Sequence, residues 1–94
     1  MKIHILDHTY NYKIVKDDCD GKWGRSNAKE GWLIVSNKCP KDQQASTLLH
    51  EVVHIASDLL DAGLHDQENK VSAIAMGLHS FIKSNPKLIK KMLK

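Results

Sequence analysis

The strongest constraint on this chain is a five-residue pattern inside an apolar helical segment. Residues 50–54 read His50-Glu51-Val52-Val53-His54. Residues four apart lie on one face of an α-helix, so both imidazoles can bind a single metal ion. Glu51 lies beside them, where it can reach a water on that metal. Two neutral nitrogen ligands and an adjacent base are the groups that metal-assisted hydrolysis requires.

The segment that carries this pattern is predicted to be the central helix of the fold. Its periodicity is helical from about Lys41 to Leu60, and Pro40 suits a first helical turn. Apolar residues cover most of its circumference, which is typical of a buried helix. His50 and Glu51 interrupt this apolar surface. Polar groups in a core need partners, and a metal ion would supply them.

The remaining segments predict an α+β fold in a single domain over residues 1–94. The expected strands are Ile3–Leu6, Tyr10–Lys16, a short one around Trp23 within a polar loop over residues 17–31, and Trp32–Val35. Asp7-His8-Thr9 should form the turn between the first two. The order of elements favours a small antiparallel sheet packed on the first long helix.

Two further helices are expected after the central one. Gly63 is predicted to cap the first helix, and a second helix should start near Asp66. The second helix should end at Asn85-Pro86, and Pro86 should open a short helix that reaches Leu93.

Composition narrows the class of protein and of partner. The net charge is +3, and no 18-residue apolar run is present, so we expect no membrane partner. The N-terminus lacks a signal peptide's apolar region, which favours a cytoplasmic protein with Cys19 and Cys39 as free thiols. The lysines of the C-terminal segment predict a solvated amphipathic helix. Nucleic acid is not the expected partner, although it or another acidic partner is the alternative for these lysines.

A catalytic zinc ion usually has three protein ligands, so one more must be found. One zincin pattern continues with Gly three positions and His or Asp six positions after the second histidine, but Ser57 and Leu60 stand there. Glu68, on the next helix, is the best candidate, because an antiparallel return can bring it beside His54. The rival ligands in the same connection are Asp61, His65 and Asp66.

Two further polar residues are candidates near the site. Glu68, Ser72, Ala75 and His79 fall along one stripe of the second helix. If Glu68 binds the metal, His79 could donate a hydrogen bond to an oxyanion or to substrate, as a second catalytic residue. It could equally be an ordinary core or surface histidine. Asp58 could orient an imidazole, or simply face solvent.

At these residues the chain resembles a known family. The stretch Thr47–His54 is similar to the active-site helix of gluzincin-type metallopeptidases, and more similar to minigluzincin-like phage and prophage proteins related to the ImmA/IrrE type. Their second helix carries Glu, an apolar pattern and a Gly-Leu-aromatic element, and ends at Asn-Pro. Glu68–Pro86 follows that order, with His79 where a tyrosine is expected. The apolar strand Trp32–Val35 also fits.

The resemblance implies one catalytic zinc ion held by His50, His54 and Glu68, with Glu51 as the general base. It implies a metallopeptidase encoded by a phage or prophage, acting on a cytoplasmic protein such as a transcriptional repressor. The edge of the strand Trp32–Val35 could bind the extended peptide. The alternative is a zinc-binding regulatory or interaction module without turnover. The oligomeric state is left open.

Overall fold

The computed structural model describes residues 1–16 and 21–94. Within these ranges four strands precede three helices, which confirms the predicted α+β class. The strands are β1 (Lys2–Ile5), β2 (His8–Val15), β3 (Gly24–Asn27) and β4 (Trp32–Ser36), and the helices are α1 (Lys41–Leu60), α2 (Glu68–Ser84) and α3 (Pro86–Met92). Cys39 is a buried free thiol, as predicted, while Cys19 lies outside the described residues.

The sheet is mixed, so the prediction of an antiparallel sheet was wrong. Its strand order is β1-β2-β4-β3, and the central pair β2 and β4 is parallel, with Tyr12 opposite Leu33. The two outer pairs are antiparallel. A parallel pair needs a long connection, and residues 16–31 provide it, with β3 inside this connection. As a result β4 is internal, and β1 and β3 are the edge strands.

The first hairpin is tighter than predicted. Its loop consists of Leu6 and Asp7 alone, and both have positive φ angles, 49° and 66°. Two consecutive residues of this kind form a type I′ turn, whose twist matches that of the flanking strands. Ile5 therefore pairs directly with His8, which belongs to β2 and not to the turn.

The core lies between one face of the sheet and α1. Leu33 and Val35 alternate along β4, point to the same face and are fully buried. Tyr10 from β2 and Ile55 from α1 complete this layer. Most other apolar residues of α1 are half-buried, because the sheet covers one side of the helix and α2 another.

The bounds of α1 match the prediction, but its caps differ. Pro40 is the N-cap residue and precedes the first turn. Asp61, not Gly63, ends the helix in a left-handed conformation with φ 53°, and its N–H donates to the carbonyls of Ser57 and Asp58. Its Cβ makes this conformation unusual for aspartate, though less so than for most residues.

The return into α2 positions the site. α2 begins at Glu68 after Gln67, slightly later than the predicted start near Asp66. The connecting turn lets α2 pack against α1. Glu68 therefore lies in the first turn of α2, beside the second half of α1. Among the described residues, no helix combines the length and apolar character that a membrane crossing requires.

Candidate metal centre

Helices α1 and α2 bring three potential metal ligands together. Nε2 of His50 lies 2.9 Å from Oε2 of Glu68, and Nε2 of His54 lies 2.9 Å from Oε1 of the same carboxylate. The ligand atoms of these three side chains are all within 4.8 Å of one another. The group could therefore hold a metal ion. The rivals His65 and Asp66 instead pair with each other at 3.8 Å on the exposed turn.

The carboxylate of Glu68 is the electrostatic centre of this group. Partial burial raises the pKa of Glu68, but the charges of His54 and His50, together with one hydrogen bond to each imidazole, lower it further than burial raises it. The net result is a pKa below the ordinary value of 4.5. Glu68 is thus ionised at neutral pH, which is the state in which a carboxylate binds a metal.

Ser72 orients the imidazole of His50 through its second ring nitrogen, Nδ1. Ser72 lies one helical turn after Glu68 on α2, and its Oγ lies 3.2 Å from Nδ1 of His50. When Nδ1–H donates to this hydroxyl, the lone pair of Nε2 is free to bind a metal. The spacing of the sequence places Ser72 on the same stripe as Glu68, but no role is predicted for it. The same spacing could have identified it as a support for the site.

Glu51 is buried beside the ligand pair, with only 6% of its surface exposed. Ser26 of β3 donates a hydrogen bond of 2.7 Å from its Oγ to Oε1 of Glu51. This bond satisfies and orients a carboxylate that would otherwise be costly to bury. Ser26 was missed because it lies in a segment predicted to be loop. Only the pairing of β3 with β4 shows that its side chain faces α1.

Gly24 allows β3 to approach α1 closely. A Cβ atom at this position would lie 3.0 Å from Cγ2 of Thr47, 3.1 Å from the carbonyl oxygen of Ile34 and 3.2 Å from Oε2 of Glu51. We expect Gly24→Ala to destabilise the protein by about 1–3 kcal/mol, since the backbone oxygen cannot move easily. Chemical denaturation measures this change in the free energy of unfolding.

Gly77 provides the matched control for that substitution. It is exposed on α2, and no atom of the described residues would lie within 4 Å of a Cβ there. Gly77→Ala should therefore stabilise the protein by roughly 0.5–1 kcal/mol, through the higher helix propensity of alanine. Equal effects of the two substitutions would contradict the close approach of β3 to α1.

These groups line an open cleft of about 760 Å³ between β3, α1 and α2. His50, Glu51, His54 and Glu68 all contribute to its lining. Asp58 lies at its rim with an exposed side chain, together with His65 and Asp66. The cleft thus joins the predicted ligands to the predicted base in one solvent-accessible volume.

His79 lies apart from the groups that the structure brings together. It is half-buried on α2, one turn beyond Ala75, and is not among the described residues that line the cleft. Eleven residues of helix separate it from Glu68, which corresponds to about 16 Å along the axis. Its catalytic role stays a prediction.

No family model matches this chain, and neither a curated protein nor a solved structure shows significant similarity to it. Function must therefore be inferred from the chemistry of the cleft.

Proposed function

We propose that the protein is a zinc-dependent metallopeptidase of the gluzincin type, acting on a cytoplasmic protein of a bacterial or phage-infected cell. One observation carries the proposal. The ligand atoms of His50, His54 and Glu68 lie within 4.8 Å of one another, and the buried side chain of Glu51 lines the same cleft. The phage or prophage origin rests on the resemblance of α1 and α2 to minigluzincin-like phage and prophage proteins.

The donor set fits zinc. Both Nε2 atoms point at the same carboxylate, so the three donors already converge on one small volume. Two imidazole nitrogens and one carboxylate oxygen form a set used in catalytic zinc sites, which keep a further position open. Other first-row divalent metals accept the same ligands, and zinc is the assignment that ligand type and availability favour.

The side chains of the cleft provide the proton transfers that peptide hydrolysis needs. When bound, zinc supplies Lewis acidity, which acidifies a ligand water and polarises the scissile carbonyl. Glu51 accepts a proton from the attacking water, and the hydrogen bond that Ser26 donates to Oε1 orients its carboxylate. It then delivers this proton to the amide nitrogen as the C–N bond breaks. The products are a carboxyl group and an amine, and Glu51 returns to its charged form.

The strand that binds an extended peptide substrate is assigned to β3. The sequence-based prediction placed peptide binding at the edge of Trp32–Val35. This prediction was wrong, because β4 lies between β2 and β3 and has no free edge. β3 is the edge strand on the side of the cleft, which Gly24 and Ser26 line. An extended peptide that adds to β3 would run along the cleft past Glu51.

A metal-binding regulatory or interaction module without turnover is the second candidate. The observation that favours it is the length of β3, which has only four residues and offers few positions to hold a peptide. In that function the metal would organise the cleft, and Glu51 would be a buried structural carboxylate. The two candidates predict opposite results when peptide cleavage is measured.

The test is cleavage of a mixture of peptides prepared from bacterial cytoplasmic proteins. Zinc-loaded protein should generate new N-termini that mass spectrometry detects. Chelation should abolish this cleavage, and added zinc should restore it. A zinc-loaded, folded protein that cleaves none of these peptides would favour the module without turnover.

A further inference from the structure

The C-terminal helices expose several apolar side chains that do not line the cleft of the metal centre. On α2 these are Ile74, Leu78 and Phe81, whose spacing of four and three residues places them along one stripe. On α3 and the residue after it, they are Leu88, Met92 and Leu93. Each of these six side chains is at least 42% exposed. We call these six residues the C-terminal surface.

Lysines accompany this surface throughout. On α3, helical spacing places Lys87 and Lys90 away from Leu88 and Met92, while Lys91 lies one turn after Leu88 and flanks it. Residues 69–94 contain six lysines and no aspartate or glutamate. These lysines are Lys70, Lys83, Lys87, Lys90, Lys91 and Lys94. Residues 1–68 hold eight basic and eleven acidic side chains, so the positive charge of the protein is concentrated in this part.

We propose that the C-terminal surface binds an anionic lipid bilayer. Apolar side chains on one side of a short helix, with lysines opposite and beside them, form the pattern of helices that lie in the membrane interface. The apolar side chains would enter the boundary between headgroups and acyl chains, while the lysines contact anionic headgroups. Adsorption of this kind needs no helix that spans the bilayer.

Charge also favours an anionic bilayer over a second copy of this chain or a nucleic acid. Two copies packed through Leu88 and Met92 would leave most of these lysines without an anionic partner, whereas anionic headgroups would supply one. A nucleic acid would match the lysines but would leave the apolar side chains without a partner. The surface carries one aromatic residue, Phe81, so stacking on bases is not provided for either.

The test is co-sedimentation of the full chain with lipid vesicles. One set contains phosphatidylcholine alone, and the other includes about 30 mol% phosphatidylglycerol. We expect binding to the anionic set only, and release in high salt. Replacing Lys90 and Lys91 with glutamine should weaken binding by roughly 30-fold, since each lysine near an anionic surface contributes about fivefold. Leu88→Ser with Met92→Ser should also weaken it.

Lys2 and Lys13 supply the matched control, because their replacement by glutamine removes the same charge from the exposed side of the sheet. This pair should leave vesicle binding unchanged. Equal losses from both lysine pairs would show general charge attraction and overturn the proposal. Absence of binding to anionic vesicles would also overturn it and direct attention to an acidic protein. A dimer that Leu88→Ser and Met92→Ser disrupt would assign the surface to a second copy instead.

Discussion

Replacing Glu51 with glutamine is expected to lower kcat/KM for peptide hydrolysis by on the order of 10²–10⁴-fold, the range that a general base contributes. Glutamine has the same shape and can still accept the hydrogen bond of Ser26, but it cannot take the proton of the attacking water. Metal content should be unchanged, because Glu51 is not among the three converging ligands. Steady-state kinetics and metal analysis on the same sample measure both results.

Asp42→Asn is the matched control for this substitution. It makes the same carboxylate-to-amide change on α1, at an exposed residue of the first turn that does not line the cleft. Its activity should equal that of the unmodified protein. If Glu51→Gln retained full activity, Glu51 would not be the base and the proposed mechanism would fail.

Metal removal is expected to produce the second large effect. At a metal concentration a thousandfold above Kd, binding stabilises the folded state by about 4 kcal/mol. For a domain of this size that corresponds to a rise in Tm on the order of 15–30 °C. His54→Ala should abolish this rise, since it removes one of three donors.

Ser72→Ala should weaken metal affinity by roughly 10–100-fold, the usual effect of a residue that orients a ligand.

His65→Ala is the control for the ligand assignment. This histidine is exposed at the rim of the cleft, so its removal should leave the metal-dependent rise in Tm intact. Thermal denaturation of each variant, with zinc and with chelator, provides the comparison. Loss of the rise in His65→Ala but not in Glu68→Ala would move the third ligand to the turn between α1 and α2.

The parts of the site that lie on one helix could be predicted from the sequence. Helical geometry places His50 and His54 on one face whatever the rest of the fold, and the bounds of α1 follow from its unbroken periodicity. Glu68 required one more assumption, that the short turn returns α2 beside α1. The contacts between Glu68 and the two imidazoles agree with that assumption.

The contributions of the sheet could not be predicted, because they depend on non-local pairing. Strand order is set by which edges meet in space, and the short, polar sequence near Trp23 indicates neither the bounds of β3 nor its partner strand. The contacts of Gly24 and Ser26 with Glu51 follow only once β3 lies at the edge beside α1. Helical spacing could predict that His79 lies on the same face of α2 as Glu68. It could not show whether His79 reaches the metal ligands.

The central claim is that His50, His54 and Glu68 hold a catalytic metal ion. X-ray diffraction with anomalous data across the zinc edge, on protein purified without added metal or chelator, tests it most directly. We predict a peak bound by Nε2 of both histidines at about 2.0–2.1 Å and by the carboxylate of Glu68, with a water near Glu51 in the remaining position. A metal enclosed by four protein ligands, or one bound by His65 or Asp66 in place of Glu68, would contradict the account.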